Sequence, residues 1–196
     1  RRPEAVNESV RCGAVDRATL DIGAAADCDL ILLAVPPGAM PSFACRLVDT
    51  GLRDKPVVTD VASVKGDLVA TLESAFDQHA RFVGSHPMAG SEKSGVSAAR
   101  ADLFEGSVCV VTRTTCTDTD ALRKVTSLWA SVGAEVLTLD PQEHDRAVAA
   151  VSHLPHIVSS ALVNNIVGDG VRSEHLRCSG TGWADMTRIA HGLPDL

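Results

Sequence analysis

The chain has no tyrosine, and aromatic residues make up only 3% of its 196 residues. That argues against a base-stacking surface, which is built from aromatic side chains. It also has no excess of positive charge: 18 Lys and Arg against 25 Asp and Glu leave a net charge of −7. The electrostatic footprint of a nucleic-acid binder is therefore missing. None of the six cysteines (Cys12, Cys28, Cys45, Cys109, Cys116 and Cys178) forms a C-x-x-C pair. This favours reduced thiols in a cytoplasmic protein over a disulfide framework or a zinc site. No uninterrupted apolar run has the length of a membrane span, and no signal peptide opens the chain, so no membrane partner is expected. No G-x-G-x-x-G turn occurs, although such a turn opens a dinucleotide-binding sheet. No lysine lies between Gln142 and Leu196.

What is present is an alternation of two periods. Cys28 to Val35 is an almost continuous apolar run closed by Pro36-Pro37-Gly38, the pattern of a buried parallel strand. Phe43 to Leu52 then reads as a helix. Val57 to Val61 is a second strand and Asp67 to Phe76 a second amphipathic helix, with Leu68, Leu72 and Phe76 in register. Arg81 to Gly84 and Ser107 to Thr112 are further strands. Thr117 or Asp118 can cap a helix that runs to Gly133, and Glu135 to Leu139 closes the series. Shorter helical pieces are expected over Pro3 to Cys12 and Ile22 to Ala26. After Asp140-Pro141 the pattern is helical from Gln142 to Val167, with an apolar stripe of Val148, Val151, Val158, Leu162 and Ile166 and a kink expected at Pro155.

Strands alternating with helices predict an α/β fold with a Rossmann-like, mostly parallel sheet, followed by an all-helical domain. The boundary is expected near residue 140, giving domains 1–140 and 141–196. The first strand and the glycine-rich loop are missing from the pattern. The first domain is therefore expected to be incomplete at its N-terminal side, and the second at its C-terminal side.

Ligands in open α/β sheets bind at the carboxyl ends of the strands, so the polar residues there are the candidates. Val35, Pro36 and Pro37 shape the loop after the first apolar run. Asp60 and Ser63 follow the second strand, and Ser63 can equally be a helix N-cap. His86, in Ser85-His86-Pro87-Met88-Ala89-Gly90, is held extended by the proline after it. An imidazole at that edge can accept a proton from an alcohol being oxidised. Glu92 and Lys93 follow it. In the helical part, His153 and His156 share a helix face. A metal there would need a third ligand that the sequence does not supply, and no metal is expected. Arg188 offers the paired donors that grip a carboxylate, or an ion pair with Asp185.

Taken together, Asp60-Val61-Ala62-Ser63-Val64-Lys65, the run Ser85 to Gly95, His144-Asp145, Ser152-His153-Leu154-Pro155-His156 and Asp185 to Ala190 resemble the prephenate dehydrogenase family, which includes arogenate dehydrogenases. The segments occur in the family's order and cover most of the chain. The resemblance implies an NAD-dependent oxidative decarboxylation of prephenate to 4-hydroxyphenylpyruvate in tyrosine biosynthesis, with NADP as the alternative cofactor. Arg1 and Arg2 suit a 2′-phosphate, or are solvated charges. His86 would take the hydrogen bond of the C4 hydroxyl, and Ser63 would orient His86 near the nicotinamide. Arg188 would bind a substrate carboxylate, with His156, His153 and Glu92 also on the substrate side, Glu92 at the mouth of the site. Val35, Pro36, Pro37, Asp60 and Ser63 would meet the cofactor. The helical domain would form a homodimer. Two readings compete: an arogenate dehydrogenase, and a non-catalytic substrate-binding or regulatory module. A dehydrogenase of β-hydroxy acids is disfavoured by the missing lysine.

Overall fold

The computed structural model describes residues 3–90, 95–168, 174 and 177–191. It divides into two compact units, Arg1–Asp145 and Arg146–Leu196.

In the first unit, α1 (Pro3–Arg11) and a 3-10 turn (Ile22–Ala25) precede β1 (Leu30–Leu33). Then follow α2 (Met40–Asp49), β2 (Val57–Asp60), α3 (Gly66–Phe76) and β3 (Arg81–Val83). The three strands form a parallel sheet in the order β1-β2-β3, with Ile31 beside Val58 and Val58 beside Phe82. Side chains of a strand alternate between faces, so Val57 and Val58 enter different cores. Val58 packs with Leu33, Met40, Leu47, Val69, Leu72, Phe76 and Phe82 under α2 and α3. Val57 packs with Val83, Val111, Val125 and Trp129 on the other side. Both faces of β2 are covered and all four of its residues are buried, the polar Thr59 and Asp60 included.

The chain then departs from a simple parallel series. The histidine-bearing segment, read from sequence as a loop, is a strand of its own, β4 (Ser85–Pro87), in a second sheet. It runs antiparallel to β5 (Val108–Thr112), with His86 opposite Val110. Gly84 makes the switch between sheets. A Cβ there would lie 2.5 Å from Thr112 Oγ1 and 3.0 Å from Val69 Cγ2, so only glycine fits where the strands converge. A helix α4 (Thr119–Ser131) begins where Asp118 accepts from the Ala121 N–H at 2.8 Å. It leads to β6 (Glu135–Leu139), parallel to β5. Then α5 (Pro141–Val148) begins, and the two units divide within it.

The second unit continues through a π turn (Ala149–His153) into α6 (Leu154–Gly168) and, further on, α7 (Thr181–Thr187) with a 3-10 turn (Arg188–His191). Pro155 has no N–H to return to the preceding turn, and the helix accommodates it with the wider π turn just before it. Ser159, buried on α6, donates to the Met186 carbonyl at 2.7 Å and ties α6 to α7. The expected apolar stripe is split: Val148 is buried and Leu162 and Ile166 are half-buried, whereas Val151 is 72% exposed and Val158 46%, with Leu154 and Ile157 exposed beside them. By length and composition the run Pro141–Ile166 is apolar enough to cross a membrane, although no single stretch of the sequence suggested it.

Candidate active site

The carboxyl end of β2 holds a buried ion pair. Asp60 Oδ2 accepts from the Lys65 ammonium at 2.5 Å, and both side chains are fully buried. Oδ2 also accepts from the Ala62 N–H at 2.9 Å, and Oδ1 accepts from the Ser85 N–H at 3.0 Å. The Ser85 hydroxyl donates to the Asp60 carbonyl and receives from the Thr59 hydroxyl at 2.9 Å. Every oxygen of Asp60 is thus engaged inside the protein. Asp60, expected to meet the cofactor, is held here by protein partners and fixes the start of β4 to the end of β2. Burial lowers the pKa of Lys65, and the attraction of Asp60 restores it only in part.

His86 itself is buried, with 9% exposure. Its Nδ1 lies 2.8 Å from Nε2 of His144, and the two rings meet edge to face with centroids 5.1 Å apart. His144 Nδ1 lies 2.8 Å from Asp145 Oδ1. The Asp145 carboxylate in turn accepts from the backbone N–H groups of Lys65 and Gly66, each at 2.8 Å. These are the first N–H groups of α3, which a carboxylate satisfies well. Burial raises the pKa of Asp145, but the hydrogen bonds from Gly66, His144 and Lys65 together outweigh it and the net shift is downward. Burial lowers the pKa of His144, against the pull of Asp145, and so favours the neutral imidazole.

On one side of His86 opens a cavity of about 440 Å³, lined by Leu32, Ala34, Val61, His86, Pro87, Phe104 and Trp129 among others. Its wall is apolar apart from the imidazole, which suits a flat ring.

The other expected residues fall as follows. Ser63 is exposed in the β2–α3 loop, where no helix cap is made by its side chain, and the nitrogen placed against His86 Nδ1 belongs to His144. Val35, Pro36 and Pro37 form the turn after β1, and Pro37 opens a 3-10 turn. His153 lies in the π turn, His156 on α6 and Arg188 directly after α7, all three exposed within the second unit. Glu92 and Lys93 lie outside the described residues, as do Arg1 and Arg2. The sequence offers His144-Asp145 among the polar groups of the helical part but gives it no partner. The signal was an acidic–imidazole pair in the first turn of a helix that starts right after a strand's carboxyl end, the edge at which His86 also sits. Among the described residues no group of three or more His, Cys, Asp or Glu is arranged to hold a metal.

Comparison with known proteins fits this arrangement. Residues 1–138 match the prephenate dehydrogenase nucleotide-binding domain, and residues 140–196 match the prephenate dehydrogenase dimerization domain. The chain is 33% identical to Bacillus subtilis prephenate dehydrogenase, over 91% of this chain and 48% of that protein. It is 34% identical to the Lactococcus lactis enzyme, over 96% of this chain and 52% of that protein. It thus spans about half the length of these relatives. Among solved structures, prephenate dehydrogenase from A. aeolicus, in complex with hydroxyphenyl propionate and NAD+, superposes with a TM-score of 0.89 at 36% identity, covering 98% of this chain and 68% of that one. Synechocystis arogenate dehydrogenase superposes with a TM-score of 0.84 at 29% identity, covering 100% of this chain and 70% of that one. A parallel sheet ending at a buried histidine, a helical unit after it, and both domain matches in order lead to one assignment: the chain belongs to the prephenate dehydrogenase family.

Proposed function

We propose that this chain is the working part of an NAD-dependent dehydrogenase that converts prephenate to 4-hydroxyphenylpyruvate, a cytoplasmic step of tyrosine biosynthesis, with residues 1–140 serving the dinucleotide and residues 141–196 the substrate and the dimer. The observation that carries the proposal is His86: a buried imidazole at the ligand edge of the sheet, tied to His144, beside an apolar cavity, in a chain matched by both domains of the family.

The reaction removes a hydride from C4 of the cyclohexadienol ring and the hydroxyl proton from the oxygen on that carbon. The C1 carboxylate then leaves as carbon dioxide. Its bonding electrons pass through the ring to the C4 oxygen, which takes a proton back as the ring becomes aromatic. His86 serves both proton movements, accepting from the alcohol and returning the proton to the phenolic oxygen. Aromatisation supplies the driving force, so positioning is the protein's main contribution.

The residues described fit the ring end of a dinucleotide. The turn Val35-Pro36-Pro37 and Ser63 border the carboxyl ends of β1 and β2 and would hold it there, and the apolar cavity beside His86 gives a ring a dry surface. The pyrophosphate end is different. It needs unspent N–H groups at a helix start, yet the first N–H groups of α3 are taken by Asp145 and proline stands in the first turn of α2. When bound, NAD supplies the hydride acceptor.

Arg188 supplies a guanidinium for a substrate carboxylate, and His153, His156 and Glu92 are further substrate-binding residues in this reading. Arg188→Ala is expected to raise KM for prephenate at least tenfold, since a charge-assisted bidentate contact is worth roughly 1.5–3 kcal/mol, with kcat changed far less. An unchanged KM in steady-state kinetics would remove Arg188 from the substrate site.

The exposed Val151, Leu154, Ile157 and Val158 are the face through which two copies associate, in keeping with the match to a dimerization domain. Light scattering should return the mass of a dimer, and Ile157→Glu should lower it to that of a monomer. A monomeric parent protein would contradict this assignment.

Prephenate and arogenate differ only in a keto or amino group on the side chain. Both are therefore tested as substrates, each with NAD and NADP, with the reduced nicotinamide as the readout.

A further inference from the structure

At neutral pH the contacts that link His86 Nδ1, His144 and Asp145 fit one set of protons. A carboxylate only accepts, so the 2.8 Å contact with Asp145 Oδ1 places a proton on His144 Nδ1. Burial, which lowers the pKa of His144, favours its neutral form. Its second nitrogen, Nε2, therefore carries a lone pair. That lone pair faces His86 Nδ1 at 2.8 Å. Two lone pairs do not approach so closely, so His86 Nδ1 carries a proton and donates it. In a neutral His86 the basic atom is then Nε2.

The arrangement is anchored. Asp145 is turned by two backbone N–H groups and so presents one oxygen to His144. Gly66 allows this: a Cβ there would lie 2.9 Å from Asp145 Oδ2. Any larger residue would push the carboxylate off the helix start, and His144 with it.

We propose that His144 and Asp145 are positioning residues that hold His86 in the Nδ1–H tautomer, making Nε2 the atom that takes the substrate's hydroxyl proton. The proposal rests on the reading of His86 as the base. It replaces Ser63 with His144 as the group that orients the ring. When His86 picks up a proton, its Nδ1–H still donates to His144, and the Asp145 charge behind it favours the cationic ring. Among the described residues, the other ionisable groups packed around the pair are Lys65 and Asp60, which neutralise each other, and the Cys109 thiol, pushed up to about 12 by burial and so uncharged. Asp145 is thus the one unbalanced charge in this shell among the described residues.

Two independent readouts test this. In nitrogen NMR of the imidazoles, the full chain should show His86 as the Nδ1–H tautomer at neutral pH. His144→Leu removes the acceptor and should move His86 toward the Nε2–H form. His144→Gln places an amide oxygen where Nε2 was and should retain the tautomer. In kinetics, His144→Leu and Asp145→Asn should each lower kcat by about 10²-fold, the range of a mispositioned general base, with KM little changed. His144→Gln should stay within about tenfold of the parent. Asp145→Asn should also shift the acid limb of the kcat profile to lower pH, because the cationic ring loses its counter-charge. A role confined to capping α3 would lower the urea midpoint of the Asp145 variant and leave the tautomer and the pH limb in place. The proposal is overturned if His86 is the Nε2–H tautomer in the parent chain, or if His144→Leu changes neither tautomer nor kcat. The NMR result needs no substrate. A parent protein that turns over neither prephenate nor arogenate would therefore refute the dehydrogenase reading while leaving the tautomer question separately answered.

Discussion

Replacing His86 with asparagine is expected to lower kcat by about 10²- to 10⁴-fold, the usual worth of a positioned general base. Asparagine is the informative choice. Its amide nitrogen falls close to the place of imidazole Nδ1, so it can still donate to His144 Nε2, now 2.8 Å from His86 Nδ1. The buried hydrogen bond survives, β4 stays paired with β5, and only the basic nitrogen is lost. Cofactor affinity should therefore change little, and KM for prephenate should change modestly, because one hydrogen bond to the C4 hydroxyl is removed. A variant that folds like the parent and turns over at a near-parental rate would show that His86 is not the base.

The largest effect on stability is expected at Asp60. Asp60→Ala strands a fully buried ammonium and leaves the Ala62 and Ser85 N–H groups without their acceptor. Breaking one side of a buried pair costs about 3–5 kcal/mol, a large part of the roughly 5–15 kcal/mol that a domain has available. The protein should be substantially destabilised in urea. Removing both charges, as in Asp60→Leu with Lys65→Met, should recover part of the loss, because the stranded charge contributes more than the two backbone groups do. If Asp60→Ala unfolds at the parental urea concentration, the pair is not the keystone of the β2–β4 junction. If the double variant is no better than the single one, the cost lies in the backbone acceptors rather than in the charge.

The parts of the structure that depend on local pattern were legible in the sequence. The apolar run Cys28 to Val35 and the segment Val57 to Val61 mark β1 and β2, although only β2 is buried along its whole length, and Asp118 caps α4 as its position before an amphipathic run suggests. The turn of the chain at Gly84 was not legible. Two strands of three residues each, separated by one glycine, read as a single strand unless the partner strand is known, and the partner β5 is more than twenty residues away in sequence. The buried partners of Asp60 were hidden for a related reason. An acid at the carboxyl end of a strand looks like a ligand group, and only the fold shows that Ser85 and Lys65 close over it. His144 illustrates the same limit at the site. Its neighbour Asp145 is adjacent in sequence, but its other partner is 58 positions away, and no spacing rule reaches that far. The exposed apolar face was half-legible: periodicity identifies a stripe, and only the structure shows that Val151 and Val158 of it stand exposed beside Leu154 and Ile157 while Val148 is buried.

The most direct test is the natural gene product that carries these residues, supplied with prephenate and NAD and followed by both reduced nicotinamide and released carbon dioxide. The account predicts that the two appear in equal amounts, that 4-hydroxyphenylpyruvate accumulates with them, and that the His86→Asn form yields neither at an appreciable rate. A protein that binds prephenate yet releases no carbon dioxide and reduces no nicotinamide, with arogenate or NADP in place of the first pair as well, would contradict it.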